Sequence, residues 1–77
     1  MHKNAQQRLA VLDILYVTRE NKPWNGWVSE YDLKQKLGDS DFQFALSVLH
    51  ESGHIKRSGD KYEISGDGVL FFEGMQK

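Results

Sequence analysis

The sequence predicts a small α+β domain, mainly α: a three-helix core, one short strand, a β-hairpin and a C-terminal helix. Three observations lead there. Helix-start signals occur at Asn4, Ser29 and Ser40, each ahead of apolar residues at helical spacing. After Gly53 the apolar period shortens from helical to alternating. The only proline, Pro23, falls in Asn21-Lys22-Pro23-Trp24-Asn25-Gly26, a turn-rich stretch that ends the first helix. The chain is 77 residues long, so one domain spanning residues 1–77 is expected.

Each helix start pairs a short acceptor with a side chain three residues on: Asn4 with Gln7, Ser29 with Asp32, Ser40 with Gln43. That second side chain can reach back to the cap's own N–H. Helices are expected over residues 5–20, 30–37 and 41–51. Gly38 and Gly53 stand just past the second and third, where a left-handed residue closes a helix at least cost. Trp27-Val28 reads as a short strand. Ile55-Lys56-Arg57-Ser58 and Lys61-Tyr62-Glu63-Ile64 flank Gly59-Asp60, a Gly-X pair suited to a type II′ hairpin. Tyr62 and Ile64 should face the helices, and Lys61 and Glu63 water. Ser65 offers a further cap ahead of Val69-Leu70-Phe71-Phe72, in a helix weakened by Gly66, Gly68 and Gly74.

Helix, strand, helix, helix, ribbon, helix is an order that resembles the winged helix-turn-helix family. The matching residues are Ala45-Leu46-x-x-Leu49-x-x-x-Gly53-x-Ile55-Lys56-Arg57, then Tyr62-x-Ile64-Ser65-x-x-Gly68, and the likeness covers about residues 5–75. It implies that the third helix enters the DNA major groove while the ribbon, or wing, touches adjacent backbone. It also implies dimers formed through the first and last helices.

Charge bears on the partner. The net charge is −1, so no global attraction for polyanions exists. Residues 23–55 hold Lys34 and Lys36 against Glu30, Asp32, Asp39, Asp41 and Glu51, whereas Lys56, Arg57 and Lys61 crowd into the hairpin. A basic hairpin tip suits a phosphate backbone, although charge also simply solvates such hairpins. The absence of cysteine fits a reducing cytoplasm and excludes thiolate chemistry. No run approaches the ~20 apolar residues of a membrane span, and the start lacks a signal-peptide pattern, so no membrane association is expected.

Candidate chemistry is sparse. His50-Glu51-Ser52-Gly53-His54 spells the H-E-x-x-H of zinc metalloproteases, which needs both histidines on one helix face. Gly53 should end the helix before His54 completes the turn, so no metal, cofactor or enzymatic activity is expected. On the third helix Phe42, Ala45, Leu46 and Leu49 share one face and must be core. Phe44, Ser47, Val48 and Glu51 point outward, with Gln43 and His50 on the shoulders. This outer face lacks the Arg, Lys and Asn that read base edges, and Glu51 would oppose phosphate.

Two functions follow. As a DNA-binding transcriptional regulator, the protein would use Lys34, Lys36, Gln43, Ser47, His50, Lys56, Arg57 and Lys61 on double-stranded DNA. As a protein-interaction module, it would present Phe44, Val48, Trp24 (or Trp27), Leu70 and Phe71, without DNA binding. Between Leu9 and Val17 only Asp13 is polar, so the first helix needs cover on two sides. Leu70, Phe71, Phe72 and Met75 can supply it within one chain, and a second copy can supply it in a homodimer.

Overall fold

The computed structural model describes residues 3–38 and 42–75. Among them the chain forms α1 (Lys3–Asn21), β1 (Val28–Ser29), α2 (Glu30–Leu37), α3 (Gln43–Glu51), β2 (Ile55–Ser58), β3 (Lys61–Ile64) and α4 (Gly66–Met75). The three strands make an antiparallel sheet in the order β1-β3-β2. The α+β, mainly helical class is as expected.

The apolar period sets the core. Phe42, Ala45, Leu46 and Leu49 are buried, as the α3 projection requires, and meet Val11, Leu12 and Leu15 of α1, Leu33 of α2 and Ile55, Tyr62 and Ile64 of the sheet. Phe72 of α4 closes the core over α1, its ring centroid 5.1 Å from that of Tyr16. Within one chain Val11, Leu12 and Leu15 of α1 are buried, and Ile14 and Tyr16 are partly covered. Val17, Leu70, Phe71 and Met75 nevertheless stay exposed.

Several ends follow their signals. The Asp32 amide donates to Ser29 Oγ at 3.1 Å and caps α2. Past α3, Gly53 takes φ 83°. Its amide bonds His50 O and that of His54 bonds Leu49 O, the paired pattern of a Schellman closure. The Gly68 amide donates to Ser65 Oγ, and the Ser65 hydroxyl donates to Gly53 O at 2.6 Å. One serine thus caps α4 and ties it to the end of α3.

Other expectations need correction. Asn4 lies inside α1, which already includes Lys3, so it does not cap that helix. α3 begins at Gln43, with Phe42 at its N-cap and no side-chain cap bond; Asp39, Ser40 and Asp41 lie outside the described residues. β1 starts at Val28, one residue beyond Trp27. Gly68 does more than weaken α4: a Cβ there would collide with the carbonyl oxygen of His54. Its lack of a side chain lets α4 approach the start of β2.

The largest departure is Glu63, which is only 4% exposed and does not face water. β3 is the middle strand, and its second face is occupied by the approach to β1. The Gly26 amide donates to Glu63 Oε2 at 3.0 Å, and Lys56 Nζ lies 2.8 Å from Oε1.

Candidate functional site

Register decides which hairpin cations act together. Arg57 pairs with Tyr62, and Lys56 with Glu63. Adjacent residues on a strand point to opposite faces. Arg57 therefore shares the helix-side face with Ile55, Tyr62 and Ile64, while Lys56 lies on the reverse face. There Lys56 bonds Glu63 and stands 5.8 Å from the centre of the Trp27 ring. Lys61, opposite Ser58 at the turn, is exposed. The three basic residues do not form one cluster.

On the helix side, Gln43, Ser47 and His50 of α3 line a groove of about 310 Å³ together with Arg57 and Tyr62. Helical spacing accounts for the first three, since residues three and four apart share a helix face. The Arg57 side chain is steadied by its Nε–H, which donates to Gly59 O at 2.9 Å. Gly59 takes φ 62° at the first turn position, as the Gly-X pair implies. Burial pushes the Tyr62 hydroxyl above its ordinary pKa; Arg57 opposes this, and a bond and charge from Glu30 add to it. Tyr62 is thus a neutral phenol at physiological pH. Glu51 also lines the groove and supplies an opposing negative charge.

Lys34 and Lys36 are exposed in the last turn of α2 and line no part of this groove. With Glu30 and Asp32 in the first turn, they complement the α2 macrodipole.

The expected protein-contact residues divide between two places. Phe44 and Val48 converge with Phe71 and Met75 on an apolar groove of about 400 Å³ where α1, α3 and α4 meet. Trp24 and Leu70 instead line a separate cleft of about 730 Å³ between the end of α1 and α4. Trp24 is 96% exposed, whereas Trp27 is half-buried.

The two histidines of the H-E-x-x-H string part company at Gly53. His50 sits on the α3–β2 groove. His54, past the helix end, stacks on Phe71 at 4.3 Å between ring centres, with Nδ1 2.8 Å from Ser52 Oγ. That arrangement cannot present two imidazoles one helical turn apart.

Sequence reasoning missed Tyr62 as a groove residue and Glu63 as a buried carboxylate. Alternation places Tyr62 on the helix side, whereas the burial of Glu63 depends on the segment before β1, whose Gly26 amide lies 37 residues away and leaves no local signal. No known protein family, curated protein or solved structure matches this chain.

Proposed function

We propose that the protein is a winged-helix DNA-binding module and acts as a transcriptional regulator. The helix–strand–helix–helix–hairpin–helix order supports the fold assignment, with α3 as the recognition helix and β2–β3 as the wing. The observation that carries the functional reading is the groove lined by Gln43, Ser47, His50 and Arg57. It combines hydrogen-bonding groups on a helix with an arginine on the wing, as groove and phosphate contact require. In this reading Arg57 and Lys61 meet phosphate, Gln43, Ser47 and His50 lie near base edges, and Lys34 and Lys36 add peripheral contacts. Lys56 contributes mainly to the fold through Glu63. No catalytic step is involved.

Amide chemical shifts recorded with a short mixed-sequence duplex test the reading. Shifts centred on residues 43–50 and 57–61 are expected. Shifts confined to α1 and α4 would refute it.

A second reading rests on the apolar groove bordered by Phe44, Val48, Phe71 and Met75. Here the protein is an interaction module, and a second copy is its simplest partner. Phe44→Asp should then convert a dimer to an 8.9 kDa monomer in light scattering. An unchanged mass would count against it.

A further inference from the structure

The cleft between α1 and α4 has no part in DNA binding as proposed and shares no lining residue with the α3–β2 groove. Its volume of about 730 Å³ is that of a small-ligand site. Two features distinguish it from an ordinary surface hollow. The Trp24 indole, 96% exposed, and Leu70, 70% exposed, form an apolar wall in open solvent. Around that wall stand three carboxylates, those of Glu20, Asp67 and Glu73.

Charge at the cleft is unbalanced. Its one lining cation, Arg19, is turned inward, Nη1 donating to Ile64 O at 2.9 Å. Neither the Glu20 nor the Asp67 carboxylate has a hydrogen bond or ion pair with another described residue. Glu73 accepts the Tyr16 hydroxyl at 2.6 Å. That bond, with burial and the Glu73 and Glu20 charges, raises the Tyr16 pKa, so Tyr16 adds no charge near neutrality. Asp67 offsets the positive N-terminal end of α4.

We infer that this cleft binds a basic peptide segment through an arginine or lysine flanked by apolar residues. Charge complementarity selects the occupant. The cation meets the Trp24 face and the carboxylates, while its methylene stem and apolar neighbours cover Trp24 and Leu70. The same carboxylates repel nucleic acid and anionic lipid.

The test uses the whole chain, acetyl-Leu-Arg-Leu-amide and the same peptide with neutral citrulline for arginine, followed by Trp fluorescence and calorimetry. The arginine peptide should bind, and citrulline should weaken it by about tenfold or more, consistent with loss of a charge-assisted and cation–π contact. The exposed double variant Glu20→Gln with Asp67→Asn should weaken the arginine peptide similarly. Trp24→Ala should weaken both peptides. Equal affinity for the two peptides, unchanged affinity in the double variant, or no binding at millimolar peptide would overturn the inference. A circular-dichroism spectrum matching the parent confirms that each variant is folded. DNA binding should be unaffected by these variants, so the two proposals fail separately.

Discussion

Lys56 Nζ lies 2.8 Å from Glu63 Oε1, joining an amine on a half-exposed side chain to a carboxylate only 5% exposed. The Gly26 amide holds the other carboxylate oxygen. A cation on the hairpin is thereby committed to tying β2 and β3 to the segment before β1.

This relationship predicts an acid-sensitive contribution to stability. Burial alone would raise the Glu63 pKa, but bonds from Lys56 and Gly26 and the charges of Lys56 and Arg19 outweigh it, leaving the pKa below its ordinary 4.5. A carboxylate depressed in the folded state stabilises the fold above its unfolded pKa, and that contribution is lost as pH falls through the folded value. Urea midpoints measured from neutrality to below pH 4.5 should therefore fall more steeply for the parent than for Glu63→Gln. At neutral pH that variant should be less stable by roughly 1–3 kcal/mol. Parallel pH curves would contradict the account.

Gly68 and Gly74 should respond oppositely to alanine. A Cβ at Gly68 meets the His54 carbonyl, whereas at Gly74 nothing lies within 4 Å. Gly68→Ala should destabilise by about 1–3 kcal/mol through overpacking, and Gly74→Ala should be neutral or gain up to ~1 kcal/mol. Thermal melting of both variants measures the contrast. Equal effects would argue against the close approach of α4 to β2.

These contrasts mark what was legible in the sequence. Ser29 and Gly53 act through neighbours a few residues away, and Ser65 caps α4 through the Gly68 amide three residues on, so these roles could be read from spacing; the Ser65 bond to Gly53 O, twelve residues back, could not. The core face of α3 was legible because Phe42, Ala45, Leu46 and Leu49 repeat at helical period. Glu63 was not, because its amide partner, Gly26, lies 37 residues away and alternation alone assigned it to water. The separation of Lys56 from Arg57 follows from alternation that charge counting overlooks. Neither the meeting of Phe44 with Phe71 nor the parting of Trp24 from it has a sequence signal, since each depends on how α4 crosses α1.

Gly53 should matter for the fold and not for a metal. It takes φ 83° in the closure of α3, so Gly53→Val should cost on the order of 1–2 kcal/mol from a strained left-handed backbone. Added zinc should leave the melting temperature of the parent unchanged, because His50 and His54 diverge. A stoichiometric rise with zinc would contradict the assignment.

The proposed binding of duplex DNA by α3 and the β2–β3 hairpin is electrostatic as well as by groove contact. It is tested most directly by affinity for mixed-sequence duplex as a function of salt, for the parent and for Arg57→Gln with Lys61→Gln. Parent binding should weaken steeply with salt, with a log–log slope shallower by about two in the double variant. A folded parent that fails to bind even at low salt, or a variant with the parental slope, would contradict it.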